Sequence, residues 1–210
     1  MEKVTRVTGI AAPLLRDNID TDTLMPTPWM TRADVDFGQA LFGNWRYQDT
    51  KAEKERDEFI LNREPFRQAR ILVAGINFGC GSSREHAVWA LMGFGIRAVI
   101  APSFGDIFYE NACKNGLLLA TVPAEAVQAI GQTLEQGSSG YDMTVDLLGC
   151  TVTAPDGMSA SFSIDPSRRT ALLEGLDEIG MTLKEADAIA SFQARDRASR
   201  PWIYAAGIAP

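Results

Sequence analysis

A stretch near the middle of the chain gathers several reactive side chains. It reads NFGCGSSREH (residues 77–86) and holds a cysteine, two serines, Arg84 and His86, the only histidine in the sequence. It follows the apolar run 71–74, which predicts a buried strand, and open α/β sheets bind ligands beyond the carboxyl ends of such strands. A helix N-terminus would present free N–H groups to an anion there, and a guanidinium fits a carboxylate. The stretch predicts a carboxylate-binding loop with a candidate serine.

The same residues also have a purely structural interpretation. Ser82 and Glu85 have the spacing of a capping box at the start of a helix, and Gly79 and Gly81 let the chain turn sharply off the strand. The cysteine and the histidine would then be packing residues. Arg84, however, would stand in the first helical turn, where a cation opposes the helix dipole by about 0.3–1 kcal/mol. Because a local rule broken without compensation points to function, we favour the anion site.

Spacing weakens other motifs of this kind. A dinucleotide-binding G-x-G-x-x-G would need glycine where Arg84 stands, and no acidic residue closes the next strand. The G-x-S-x-G elbow of serine hydrolases fails because Glu85 takes the place of its last glycine. His86 would share a helix with the serines, which places it poorly as their base. A serine hydrolase is therefore the weakest alternative.

A second polar cluster, Asp20-Thr21-Asp22, raises the question of a cation site. An EF-hand loop that began at Asp20 would need glycine and an acid where the chain has Met25 and Thr31. Turn chemistry explains the cluster equally well.

The elements that would position these clusters form an α/β pattern. Three apolar runs predict parallel strands (RILVAG, RAVIAPSF and LLLATVP), and helical segments lie between them (SREHAVWALMG and DIFYENACKNG, the latter ending at Gly116). An N-terminal strand, KVTRVTGIAAPLL, precedes them, and MTVDLLGCTVTAPDGMSASFSI predicts an antiparallel hairpin that turns at residues 155–157. We expect an α/β fold, with a central parallel sheet flanked by helices and a smaller antiparallel strand layer.

The rest of the chain predicts three further helices, AEAVQAIGQTLEQG, SRRTALLEGLDEIG and TLKEADAIASFQARDRA, the last with Thr182 and Glu185 in capping-box spacing. A length of 210 residues suits one domain, 1–210. Within it, residues 27–64 are expected to form a mobile loop region facing substrate or partner, and residues 197–210 a loose tail.

Composition excludes several classes of function. A net charge of −7 and a pI near 4.8 argue against nucleic acid and anionic membranes as main partners, although a locally positive site remains possible. We expect no membrane-spanning helix and no signal peptide. Three widely spaced cysteines, Cys80, Cys113 and Cys150, predict no disulfide framework and suit a reducing cytoplasm. Without a CxxC pair, the chain is a poor candidate for a zinc or iron–sulfur site of its own.

The central motif, NFGCGSSREHAVWAL, resembles the signature of the small subunits of isopropylmalate dehydratase, which belong to the bacterial leucine pathway and the aconitase superfamily. Further segments match the same family in order: DNIDTDTLMP, FGQALFGNWRY, DEFILN, RAVIAPSFGDIFYENACKNGLL and LDEIGMTLKEADAIASFQAR. The resemblance covers roughly residues 4–196. It implies an aconitase-type swivelling β/β/α domain.

The resemblance also implies an activity and roles for particular residues. The enzymes to which these small subunits belong are hydro-lyases that interconvert 2- and 3-isopropylmalate through an unsaturated intermediate. A large partner subunit is expected to carry a [4Fe–4S] cluster whose open iron acts as Lewis acid on the departing hydroxyl, and this chain would bind no cofactor itself. By position, Ser82 matches the catalytic base, Ser83 and Arg84 match substrate-carboxylate binders, and Asp22 with Thr21 lies at the edge of the active site.

One segment departs from the family pattern. A basic, aromatic stretch of the type KQFL…TRTGFG is expected after DTDTLMP, but this chain reads TPWMTRADVDFG. The segment lies in the family's substrate-selecting loop, where we expect Trp29 and Met30 to form an apolar patch and Arg32 to replace the missing charge. Two alternatives therefore stay open: a related hydro-lyase for another alkyl-malate, such as citramalate or dimethylmalate, and an anion-binding module without a partner.

Overall fold

The strands of the protein join into one mixed sheet around the first strand. The computed structural model describes residues 1–31, 34–81 and 84–204. Its strands are β1 (Arg6–Leu14), β2 (Ile71–Ala74), β3 (Ala98–Ala101), β4 (Leu118–Thr121), β5 (Asp142–Asp146), β6 (Thr151–Thr153) and β7 (Ser159–Ser161). They lie in the order β4-β3-β2-β1-β5-β6-β7. The predicted parallel sheet is confirmed, and the antiparallel strands extend it rather than forming a separate sheet.

Strand β1 belongs to both halves of this sheet, and its burial follows its partners. Residues Arg6–Ile10 pair antiparallel with β5, whereas Ala11–Leu14 pair parallel with β2. The first half mixes exposed and buried residues, and the second half is buried throughout. This is the expected difference, because antiparallel strands can face water on one side while parallel strands are covered on both.

Helices cover the sheet in a first compact unit, Met1–Gly175. Its α-helices are α1 (Thr21–Leu24), α2 (Thr27–Met30), α3 (Phe37–Ala40), α4 (Gly43–Arg46), α5 (His86–Phe94), α6 (Asp106–Asn115), α7 (Ala124–Gln136) and α8 (Pro166–Glu174). Short 3-10 helices span Ile60–Asn62 and Phe66–Gln68. A second compact unit begins at Leu176 and contains α9 (Glu178–Leu183), α10 (Ala186–Ser199) and α11 (Pro201–Tyr204), where the sequence suggested a single domain.

Alternate residues of each parallel strand belong to two hydrophobic clusters, one on each face of the sheet. In β2, Leu72 and Ala74 pack with α1, α5 and α6, whereas Ile71 and Val73 pack with α7 and α8. The period of two follows from strand geometry. Helices therefore pack on both faces of the parallel strands.

Three sequence-based boundaries are corrected. The helix expected from Ser83, with Ser82 as its cap, begins at His86. The helix expected through residue 180 ends at Glu174, because Gly175 adopts a left-handed conformation (φ +72°). The capping box at Thr182 is wrong: its hydroxyl donates to the carbonyl of Glu178, 2.9 Å away, within α9.

Two segments predicted to be mobile or loose contain helices where the structure describes them. In the predicted tail, residues 197–199 lie in α10 and residues 201–204 in α11. The described residues of 27–64 include α2, α3, α4 and a 3-10 helix, with Arg46 and Asn62 buried among them. None of the described helices has the length and apolar character needed to cross a membrane.

Candidate active site at the carboxyl edge of the sheet

Three loops that leave the carboxyl ends of β1, β2 and β3 are hydrogen-bonded to one another. The bonds run from Gly79 N to Ile19 O (2.7 Å), from Thr21 N to Cys80 O (3.0 Å) and from Phe78 N to Ser103 O (3.1 Å). Such bonds satisfy loop backbone that packing would otherwise leave unpaired. The loop with the central motif is therefore held on both sides, by the loop after β1 and by the loop after β3.

Two glycines permit this close packing. A Cβ built on Gly79 would lie 2.2 Å from Cγ of Phe108, and Gly79 also has a left-handed φ of +75°. A Cβ built on Gly105 would lie 2.6 Å from the carbonyl oxygen of Gly79. Side chains at these positions would force the β2 and β3 loops apart, so the glycines of the motif fix the path of the chain toward residues 82–84.

Arg84 lies at the centre of the polar contacts on this edge. Its Nη1 is 2.5 Å from Oδ1 of Asp22 and donates to Oγ1 of Thr27 at 3.2 Å. The side chain of Arg84 is 27% exposed and that of Asp22 60% exposed. Asp20 caps the helix that carries Asp22, because its Oδ1 accepts the amide of Thr23 at 2.7 Å. The structure thus brings together Asp22 and Arg84, two residues that the sequence assigned to one site.

The position of Arg84 differs from the sequence expectation. Helix α5 begins two residues later, at His86, and its N-cap, Glu85, makes no side-chain capping bond. Arg84 therefore precedes the helix instead of opposing the dipole from within its first turn. Its orientation is explained by the carboxylate of Asp22 and the hydroxyl of Thr27, both on the segment that follows β1.

Glu85 and His86 pack the start of α5 against its neighbours. Oε1 of Glu85 accepts a hydrogen bond from Nδ2 of Asn115 (2.8 Å), whose Oδ1 accepts from Nε1 of Trp89 (3.1 Å). The ring of His86 lies 4.8 Å from that of Trp89 and 6.1 Å from that of Phe37. These contacts give both residues a structural role in orienting the helix behind Arg84.

The other predicted site residues divide into three groups. Ser82, Ser83 and Arg32 lie outside the described residues. Thr21 is 1% exposed, so it packs within the loop, and its contact with substrate stays a prediction. Trp29 is also 1% exposed. The indole ring of Trp29 therefore packs in the core, and the apolar patch for substrate stays a prediction.

Comparison with known proteins decides the family. The family model described as the aconitase C-terminal domain matches residues 1–125, and the C-terminal domain of the 3-isopropylmalate dehydratase small subunit matches residues 178–206. The 3-isopropylmalate dehydratase small subunit of Paramagnetospirillum magneticum is 49% identical over 97% of this chain and all of that protein. The chain belongs to the 3-isopropylmalate dehydratase small-subunit family. The resemblance found in the sequence is confirmed.

Other members of the family agree along their whole length. The small subunit of Roseobacter denitrificans is 48% identical over 97% of this chain and all of that protein. A crystal structure of 3-isopropylmalate dehydratase from Methanocaldococcus jannaschii superimposes with a TM-score of 0.61 at 26% identity, covering 90% of this chain and 99% of that one. The predicted aconitase-type fold is thereby confirmed for this family member.

The sequence did not identify a contact residue of Arg84 and a buried arginine in the same part of this dehydratase-family chain. Thr27 binds Arg84 but lies in a segment expected to be mobile. Arg46, 5% exposed, donates to backbone carbonyls and to Asn62, and burial lowers the pKa of its guanidinium. The aromatic neighbours of Arg46 in NWRY were the only sequence signal of its burial.

Metal-binding capacity can be judged for the described part of this family member. Within residues 1–31, 34–81 and 84–204, no three His, Cys, Asp or Glu side chains come close enough together to hold a metal ion. Cys80, Cys113 and Cys150 form no disulfide. Burial raises the pKa of the Cys113 thiol to about 11, so this cysteine stays protonated at neutral pH.

Proposed function

We propose that this chain is the small subunit of a heteromeric hydro-lyase that interconverts 2- and 3-isopropylmalate by dehydration and rehydration in leucine biosynthesis. The observation that carries the proposal is 46–49% identity, over nearly the whole chain, to proteins named 3-isopropylmalate dehydratase small subunit. The site at the carboxyl edge supports it, because a cationic Arg84 beside a serine-rich loop suits a substrate with two carboxylates.

Arg84 is the proposed clamp for a substrate carboxylate. Both of its contacts with described residues use Nη1, so the edge of the guanidinium formed by Nε and Nη2 is not engaged by the described part of the chain. That edge can donate two parallel hydrogen bonds to one carboxylate. Asp22 and Thr27 would hold the guanidinium in place while the opposite edge binds substrate.

Ser82 is the proposed base. It lies between Gly81 and Arg84 in sequence, and dehydration requires removal of a proton from the carbon beside the one that loses its hydroxyl. A serine needs positive potential to act as an alkoxide, and the guanidinium of Arg84 with nearby backbone N–H groups would supply it. Ser83 and Arg32 are proposed as further substrate contacts.

We propose that a large partner subunit carries a [4Fe–4S] cluster. The donor set of this chain supports that assignment, because the described residues offer no group of ligands for a cluster. When bound, the cluster would supply a Lewis acid for the departing hydroxyl. The proposed place of action is the cytoplasm, where a reducing environment keeps the cysteines as thiols.

Reconstitution with the large subunit under anaerobic conditions tests the proposal. We expect hydration of the unsaturated diacid to isopropylmalate, with citramalate and dimethylmalate as weaker substrates. Ser82→Ala should abolish turnover while folding and subunit association persist, and Ser161→Ala, on strand β7, is the matched control. Preference for another alkyl-malate would overturn the substrate assignment, and normal turnover by Ser82→Ala would overturn the role of the serine.

A further inference from the structure

Arg46 is a buried cation that the proposed reaction does not use. Its Nη1 donates to the carbonyls of Gly38 (2.9 Å) and Leu41 (3.3 Å), and its Nε donates to Oδ1 of Asn62 (3.1 Å). Among the described residues no carboxylate lies within ion-pair distance of it. Burying a guanidinium without a counter-ion costs free energy of folding. The presence of Arg46 at this position therefore needs an explanation.

These carbonyls belong to the end of helix α3. The last carbonyls of a helix have no partner within the helix, and α3 ends because Leu41 leaves the helical conformation (φ −54°, ψ 123°) and Phe42 adopts a left-handed one (φ +51°). Left-handed backbone is unfavourable for a residue with a side chain. Arg46 caps the helix from inside the core and thereby stabilises the turn at residues 41–43.

This turn supports both helices that hold Arg84. The amide of Phe42 donates to the carbonyl of Leu24 (2.9 Å), at the end of helix α1, which carries Asp22. Trp29, in helix α2 with Thr27, donates through Nε1 to Oδ1 of Asn44 (3.1 Å), one residue beyond Gly43. A Cβ built on Gly43 would lie 2.3 Å from the indole ring of Trp29, so α2 packs directly on the turn.

We infer that Arg46 is a positioning residue for the substrate clamp, acting through the turn at residues 41–43 on Asp22 and Thr27, which contact Arg84 in the described part of the chain. Asp22 and Thr27 lie on different helices, and Arg46 fixes the surface on which both helices rest. The kinetic consequence of this inference rests on the proposed function. Its structural consequence rests on the hydrogen bonds of Arg46 alone.

The role depends on the shape of the guanidinium as well as on its charge. Nη1 and Nε point in different directions, so one side chain reaches the end of α3 and the amide of Asn62 together. A lysine at position 46 would keep the charge but present a single ammonium group. Arg46→Lys therefore separates positioning from electrostatics.

The test is steady-state kinetics of Arg46→Lys in the complex reconstituted with the large subunit. We expect the KM for isopropylmalate to rise about tenfold or more, because misplacement of a binding group by about 1 Å costs up to about a hundredfold. Asn62→Ala, which keeps the guanidinium and removes one acceptor, should show a smaller rise in KM. Ile130→Ala, in the cluster on the opposite face of the sheet, is the control for lost stability.

The outcomes distinguish this inference from failure of the proposed function. If Arg46→Lys lowers Tm like Ile130→Ala but leaves both kcat and KM unchanged, Arg46 is only structural and the inference is overturned. If the wild-type complex does not act on isopropylmalate, the proposed function fails. A crystal structure of the Arg46→Lys variant then tests the inference. Displacement of Asp22 from Arg84 in that structure would support it, and an intact pair would overturn it.

Discussion

Oδ1 of Asp22 lies 2.5 Å from Nη1 of Arg84, which joins helix α1 to the loop that precedes α5. The Asp22 side chain is 60% exposed, and ion pairs in such surroundings stabilise a fold by only about 0–1 kcal/mol. The pair therefore matters for the orientation of the Arg84 side chain more than for the stability of the fold. It sets the direction of a guanidinium whose Nε–Nη2 edge is the proposed contact for a substrate carboxylate.

Asp22→Asn should affect catalysis more than stability. The free energy of unfolding should change by less than about 1 kcal/mol, as for other exposed pairs. We expect kcat to fall about tenfold because the guanidinium loses its orienting carboxylate. KM should change less, since removing a negative charge also relieves repulsion of a dianionic substrate. Kinetics together with a thermal melt check this, and a large loss of Tm with normal kcat would contradict it.

Arg84→Lys should lower kcat/KM by about 10- to 100-fold. The charge remains, but the Nε–Nη2 edge is lost, and hydrogen bonds to charged groups contribute about 1.5–3 kcal/mol. Arg6→Lys is a matched control, because Arg6 also binds a carboxylate at 2.5 Å, that of Asp146, in the antiparallel half of the sheet. An unchanged kcat/KM for Arg84→Lys would remove it as the carboxylate clamp.

The regular core of the fold could be predicted from sequence because its signals are local. The runs around Leu72, Val99 and Leu119 are apolar and bounded by turns, and they became β2, β3 and β4. The antiparallel hairpin with its turn at residues 155–157 was equally local. Their pairing through β1 was not predicted, because one strand serves two partners of opposite direction.

The site could be predicted only in part. The resemblance placed Asp22 and Arg84 together, but it did not indicate Thr27, whose hydrogen bond to Arg84 spans distant parts of the chain. The burial of Trp29 was not predicted, because an aromatic side chain suits a substrate pocket and a core equally well. Arg46 was missed because a buried arginine capped by carbonyls leaves no charge pattern in the sequence.

Gly79→Ala should destabilise the protein by about 3 kcal/mol or more. The new methyl group would lie 2.2 Å from the ring of Phe108, and left-handed backbone adds about 1–2 kcal/mol for alanine. Gly157→Ala is the matched control, since Gly157 has φ +87° but no atom within 4 Å of an added Cβ. It should cost only the backbone contribution. Denaturant unfolding of both variants checks this prediction. Equal losses in the free energy of unfolding would show that the Phe108 ring moves aside without cost.

Cys113 should resist alkylation up to high pH. Burial raises the pKa of its thiol to about 11, and the thiolate is the reactive form. Iodoacetamide should therefore label Cys113 much more slowly in the folded protein at pH 9 than in the unfolded chain. Mass spectrometry of the Cys113 peptide measures both rates.

The same raised pKa predicts a loss of stability in alkaline solution. An unfolded thiol loses its proton near pH 9, whereas the folded one holds it until about pH 11. The contribution of Cys113 is thus complete below pH 9 and lost as the pH rises toward 11. Cys113→Ala, which has no thiol to ionise, should show a smaller decrease of Tm between pH 8 and pH 11. A decrease equal to that of the wild type would mean that other groups govern alkaline unfolding.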